Sequence, residues 1–266
     1  MNLPAHIQQK KFRILKDVFG FDAFRPGQEA VLDAILAQEN VLAVMPTGWG
    51  KSLCYQLPSL AVDGLAIVVS PLVALMHDQV TALQLAGVRA ETINSSRERA
   101  ANVATWRRAA AGEVDLLYFS PERLMTERML AALAGLPVSF FVVDEAHCIS
   151  QWGPSFRPEY AALSRLKEIF PGVPLAAFTA TADEGTRKEI SEKLFGRAPQ
   201  EIVLGFDRPN IRLAVRQKRD WKGQLLSFVE GHAGECGIVY CLSRKKTEET
   251  AAYLQQRKIR ALPYHA

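Results

Sequence analysis

The stretch "VLAVMPTGWGKSLCYQL" (residues 41–57) decides how this chain folds. It opens on five apolar residues, bends through Pro46, Gly48 and Gly50, and resumes as a second apolar-rich segment. An apolar run without polar alternation suits a strand buried on both faces. Two glycines permit backbone angles closed to other residues, so loop amides can converge where the next helix begins. Strand, Gly-containing loop and helix in that order favour a bound phosphate. Thr47, Gly48, Gly50, Lys51 and Ser52 are the candidate contacts: loop backbone, a cation for the terminal phosphates and a hydroxyl for Mg²⁺. Met45 stands at the first position of the strict G-x-x-x-x-G-K-[ST] pattern. On this stretch alone the competing description is an ordinary Gly-rich strand-to-helix turn with an exposed lysine, and the phosphate-binding reading is the favoured one.

Four more runs share the character of residues 41–45: "LAIVVS" (65–70), "DLLYFS" (115–120), "SFFVVD" (139–144) and "PLAAFT" (174–179). Between them lie helix-like segments such as "PLVALMHDQVTALQLAG" (71–87) and "SSRERAANVATWRRAAAG" (95–112), the latter with Ser95 or Ser96 as N-cap and Gly112 as stop. This alternation specifies an α/β fold on a parallel sheet, with ligands received at the carboxyl ends of the strands. One such end carries Asp144 and Glu145. Beside a phosphate loop, Asp144 suits the shell of Mg²⁺, and Glu145 suits orienting and deprotonating a water for attack on a γ-phosphate. Without that loop the pair would read as a helix cap.

The 266 residues, 48% hydrophobic and 23% charged, describe a globular chain of one large domain or one plus part of another. No apolar run approaches the roughly 20 residues of a bilayer span, and "MNLPAHIQQKKFRILKDVFG" has no signal-peptide core, so no membrane partner is expected. Four scattered cysteines without a C-x-x-C pair predict neither disulfides nor zinc and fit a reducing cytoplasm. A net charge of +4 admits a polyanionic partner. The rhythm breaks at "LGFDRPNIR" (204–212), which reads as a linker between a domain over 1–205 and a second over 206–266. The last 30 residues read as strand, helix, strand: the beginning of another α/β domain.

Taken together, "PTGWGKS" (46–52), "DEAH" (144–147) and "TATA" (179–182) resemble the superfamily-two helicases. "FGFDAFRPGQEAVL" (19–32), "VVSPLVALMHDQV" (68–80), "YFSPERL" (118–124) and "DEAHCISQWGPSFRPEY" (144–160) are similar to the RecQ DNA helicases, and the likeness runs from about Phe19 to the last residue. The resemblance implies a RecA-like doubly wound parallel sheet domain followed by an incomplete second RecA-like domain. It implies ATP and Mg²⁺ as cofactors, single-stranded and forked DNA as partners, and 3′-to-5′ unwinding in the cytoplasm, or on the nucleoid of a bacterium. By the same resemblance Gln28 bonds the adenine edge, Arg25 lies near the nucleotide and Phe21 stacks on the base, although Phe21 and Phe24 equally suit a core at a helix start. Lys51, Asp144, Glu145 and His147 form the implied catalytic set, with Ser52 and Asp144 on Mg²⁺ and Thr179 and Thr181 coupling hydrolysis to DNA. Trp152 and Phe156 offer faces to unpaired bases and Arg157 reaches phosphate. The stretches "SPLVALMHD" and "SPERL" would track the strand through small polar groups and amides. Ser243 and Arg244 would touch the DNA backbone. An RNA helicase of the wider DEAH type fits "DEAH" but not "FRPGQ" or the aromatic loop.

The chain departs from the family pattern in three places. Trp49 stands where the family has Gly, and with no room on the phosphate side its ring is expected to point into the interdomain cleft or solvent. Pro154-Ser155 replaces His-Asp, which removes an ionisable pair and stiffens the loop. The chain stops before the family's fifth and sixth motifs, the latter supplying an arginine of a kind worth about 10³–10⁵ in rate. These departures support a competing expectation, an ATP- and DNA-binding fragment without autonomous unwinding.

Overall fold

The structure, a computed structural model, describes residues 3–150, 157–205 and 211–265. The chain divides into two compact units, Met1–Asp207 and Arg208–Ala266.

The first unit is built on β1 (Val41–Val44), β2 (Leu65–Val69), β3 (Ala90–Ile93), β4 (Leu116–Phe119), β5 (Val138–Val143), β6 (Leu175–Thr179) and β7 (Gln200–Val203). They form one sheet in the order β3-β4-β2-β5-β6-β1-β7, every pairing parallel. The five apolar runs supply its five interior strands. Every residue of β1, β2, β4 and β6 is buried, because helices on both faces leave these strands no solvent side. Side chains alternate between the two faces, so each run divides between two cores. Leu42, Val44, Ile67, Val69, Phe141 and Val143 enter one; Val41, Ala43, Ala66, Val68, Phe140 and Val142 enter the other.

Helices α1 (Ala5–Asp17), α2 (Gln28–Leu36), α3 (Leu53–Ala61) and α4 (Val73–Leu85) lie on the second of these faces. Of these, α2, α3 and α4 insert Val31, Tyr55 and Met76 directly, while α1 packs outside α2 and α3 through Ile14 and Leu15. Lys11, fully buried in α1, places its Nζ 2.5 Å from Asp33 and 2.9 Å from Glu29 of α2. The other face is covered by α5 (Arg99–Ala110), α6 (Pro121–Leu124), α7 (Glu127–Leu133), α8 (Pro158–Ala161), α9 (Leu166–Ile169) and α10 (Glu184–Leu194). The cap expected at Ser95 or Ser96 is not used: α5 starts after Glu98. Asn94 Oδ1 instead accepts the Ser96 amide (3.0 Å) and hydroxyl (2.7 Å), a local turn that competes with helix initiation. Gly112, at φ +74°, ends the segment as expected.

In the second unit α11 (Trp221–Glu230) and α12 (Arg244–Gln255) pack through Trp221 and Tyr253, ring centroids 6.1 Å apart, with Lys246 Nζ 3.7 Å over the indole. The helix expected near residue 244 forms; the strands flanking it do not. Among the described residues of this unit there is no strand, and Ile238, Tyr240, Leu242, Leu262 and Tyr264 are exposed. An extended apolar segment becomes a strand only by pairing with a neighbour, and these segments do not pair with one another.

Candidate active site

The strand order brings the carboxyl ends of β1, β6, β5 and β2 side by side, which sets the phosphate-type loop next to Thr179, Asp144 and Ser70. Backbone bonds stitch this edge: Met45 N–H to Thr179 O (2.9 Å), Asp144 N–H to Val69 O (2.9 Å) and Ser70 N–H to Phe119 O (3.1 Å).

Gly48 and Gly50 take the left-handed angles that the loop requires, φ +80° and +83°. The Trp49 amide turns back to Pro46 O. Among the described residues none accepts from the amides of Thr47, Gly48, Gly50, Lys51 or Ser52. Free amides at a strand-to-helix turn, followed by α3, make a concave anion receptor. The Ser52 hydroxyl is held from behind: its oxygen accepts from Gln79 Nε2 (3.0 Å), and Gln79 Oε1 accepts from Gln56 Nε2 (2.6 Å) and Tyr118 Oη (3.4 Å). In the sequence Gln79 falls only within the helix-like segment 71–87 and the RecQ-similar stretch 68–80, with no role of its own. A lone carboxamide inside the apolar "LCYQLPSLA", Gln56, was the one hint of this network. Beside it, burial pushes the Cys54 thiol up to about 12, so Cys54 is packing.

Asp144 is 7% exposed at the end of β5, and burial pushes its carboxyl up to about 6. The charge of Glu145 adds to the rise, while the Glu145 amide (3.0 Å to Oδ1) and Lys51 oppose it. Glu145 is a non-glycine residue in the left-handed region, φ +49° and ψ +44°. Strain of this sort is held by surrounding structure and gathers at working sites. Tyr160, missed in the sequence, supplies part of that hold by donating its buried hydroxyl to Asp144 O (2.9 Å). His147 Nδ1 stands 3.0 Å from Thr179 Oγ1 and 3.3 Å from Glu145 Oε2. Thr179 donates to Thr181 O (3.0 Å) and accepts from Thr181 N–H (3.2 Å), and this network assigns the proton of His147 to Nδ1. Asp144, Glu145, His147, Thr179 and Thr181 therefore meet in one chain of contacts, with Lys51 acting on Asp144 through its charge.

Among the described residues there is no cluster of three or more His, Cys, Asp or Glu that could hold a metal. A Mg²⁺ carried on phosphates keeps most of its shell as phosphate and water and takes one or two protein ligands. A hydroxyl at Ser52 and a carboxylate at Asp144 fit that demand.

Gln28 and Arg25 lie against the loop. Gln28, 3% exposed, donates Nε2 to Trp49 O (3.0 Å) and Gly50 O (3.2 Å), and Arg25 Nη1 donates to Gly48 O (2.6 Å). The Trp49 ring is half-buried and so is not turned out into solvent, one of the two placements expected for it. Its Nε1–H bonds Pro26 O at 3.0 Å, and the ring packs against the core that α2 and α3 enter. Phe21 is 51% exposed, whereas Phe24 packs on Phe12. Arg157 donates to Pro71 O (3.3 Å), within the "SPLVALMHD" stretch. Trp152, Phe156 and Pro154-Ser155 lie outside the described residues. In the second unit Ser243 caps α12, its Oγ accepting from Lys246 N–H (3.2 Å), and Arg244 opens the helix, exposed.

The family profile described as DEAD/DEAH box helicase matches residues 25–190. The chain is 45% identical over 260 residues to the ATP-dependent DNA helicase RecQ of Pasteurella multocida, covering 98% of this chain and 41% of that protein. It is 38% identical over 265 residues to the ATP-dependent DNA helicase Q1 of Rattus norvegicus, covering 95% and 43%. The chain thus spans less than half the length of these relatives. In fold it is similar to the DUF1998 helicase MrfA bound to DNA and AMPPNP, with TM-score 0.71, 20% identity, and coverage of 96% of this chain and 39% of that one. With the family profile spanning more than half of its residues, the chain belongs to the DEAD/DEAH box helicases.

Proposed function

We propose that the chain is the ATP-hydrolysing portion of a RecQ-type 3′-to-5′ DNA helicase, acting on single-stranded and forked DNA. Residues 1–205 would be the first RecA-like domain and 206–266 the start of the second. One observation carries this reading: the amide nest with Lys51 and Ser52, the Asp144–Glu145 pair and the His147–Thr179 contact share one edge of one sheet. The likeness, over 98% of this chain, to part of a protein named ATP-dependent DNA helicase supports the nucleic-acid half.

In this reading the loop amides and Lys51 hold the phosphates and offset their charge. Ser52 and Asp144 would hold Mg²⁺, which would supply charge neutralisation for the bound phosphates. Glu145 orients a water and takes its proton. His147 and Thr179 pass the state of that site towards Thr181 and the DNA-facing loops. Arg157, bonded to Pro71, belongs to the same surface.

The test is ATP hydrolysis by the chain with and without single-stranded DNA, repeated with Glu145→Gln. Stimulation by DNA, with a loss of about 10²–10⁴ in kcat for the variant, is the expected result. Duplexes with 3′ or 5′ tails then report polarity. Stimulation by RNA alone would sink the DNA reading. A second reading, nucleotide and DNA binding without unwinding, draws on the exposed, unpaired apolar segments of the second unit; tight ATP binding with no turnover would select it.

A further inference from the structure

We propose that Trp49 is a positioning residue of the nucleotide site, latching the phosphate loop to residues 25–28 so that an adenine engaging Gln28 must first release the loop. The inference rests on the ATP-site reading above, with Gln28 meeting the adenine edge as the family resemblance implies. Three successive loop carbonyls are tied to one stretch: Gly48 O accepts from Arg25, and Trp49 O and Gly50 O accept from Gln28. The fourth bond runs the other way, from the Trp49 indole to Pro26 O. A carboxamide has two N–H hydrogens. Both of those on Gln28 are taken by the loop, and its Oε1 accepts the Arg25 amide at 2.8 Å. A purine ring nitrogen seeking Nε2 must therefore displace Trp49 O or Gly50 O. The two elements are as close as the chain allows, since a Cβ added at Gly50 would stand 2.5 Å from Gln28 Nε2.

The indole bond opposes that displacement, and the ring is seated against the same core that α2 and α3 enter. Its acceptor, on the exposed Pro26, rehydrates when the bond is lost, so removing the N–H leaves no buried orphan. Trp49→Phe keeps an aromatic ring but loses the donor and part of the ring; Trp49→Gly removes the side chain altogether, and in both variants the Arg25 and Gln28 bonds to the loop carbonyls remain available.

The two variants and the wild-type chain are titrated calorimetrically with MgATP and with magnesium tripolyphosphate, which has phosphates but no base. In Trp49→Phe the dissociation constant for MgATP should fall about fivefold, the size of one neutral hydrogen bond, and that for tripolyphosphate should stay put. Trp49→Gly should raise the ratio of the two affinities in the same sense. The ratio is the readout because a loop merely loosened moves both constants together. Equal weakening for both ligands would mean that Trp49 preorganises the loop for phosphate and would overturn the latch, as would no change in either. Failure of the wild-type chain to bind MgATP would instead overturn the ATP-site reading, and the latch with it.

Discussion

Asp144 is a buried carboxyl whose charged form the free protein disfavours. Its carboxyl is raised from an ordinary 3.8 to about 6 by burial, with Glu145 adding to the rise. Between those values the folded chain keeps a proton that the unfolded chain has released. The cost to stability therefore grows as pH rises through this window and is complete above about pH 6, where it amounts to about 3 kcal/mol. Asp144→Asn removes the charge and keeps an oxygen for the Glu145 amide. Without Mg²⁺ the variant should be more stable than wild type at pH 8, by up to that amount, and no more stable at pH 4. Urea unfolding at the two pH values checks this, and a difference independent of pH would remove burial as the cause. Lys51, Ser52, Asp144 and Glu145 could be picked out in the sequence because their chemistry demands fixed residue types at strand ends. Tyr160 and Gln79 could not, because each acts on a partner fixed only by the packing, 16 and 27 positions away. The Trp49 indole was invisible for the same reason: its acceptor lies 23 positions upstream.

At the scale of elements, the sequence was clearest where burial was most complete. The five interior strands are continuous apolar runs, and the sheet hides both their faces. The edge strands β3, "AETI", and β7, "QEIV", went unread because each is paired on one side only and carries Glu or Gln; such short, polar strands keep an open edge from recruiting other chains. The strands expected beyond residue 236 were read from apolarity alone, which says nothing of a partner. Helix α4 has a part to play that its pattern did not reveal. It carries Gln79 to Ser52, and the Pro71 carbonyl two residues before it accepts from Arg157. Gln79→Ala frees the Ser52 hydroxyl to rotate. The expected outcome is a Mg²⁺ requirement for ATP hydrolysis shifted to concentrations on the order of tenfold higher, as for other groups that orient a metal ligand, with DNA affinity retained. Magnesium titration of the hydrolysis rate would measure it; an unchanged requirement would show that Ser52 needs no such support.

At the scale of the whole molecule, the two units differ in what holds them. All three apolar clusters draw on residues between Leu3 and Leu204, and the complete sheet lies within the same span. The second unit has two packed helices, while Leu213, Tyr240, Leu242, Leu262 and Tyr264 are each at least 90% exposed. Apolar surface of that kind adds nothing to stability, since no area is removed from water, and it attracts other apolar surfaces. A chain ending at Gly205 should therefore melt cooperatively within about 2 °C of the 266-residue chain, under about 1 kcal/mol for a domain of this size. It should also bind less of a dye that reports exposed apolar surface. Residues 211–266 alone should show no cooperative transition, because two short helices and unpaired segments bury too little area to offset chain entropy. Scanning calorimetry of the three chains decides the matter. A large drop in melting temperature on removing the second unit would mean that the sheet domain depends on it, and that the strands missing from residues 211–265 are not the whole measure of that unit's contribution.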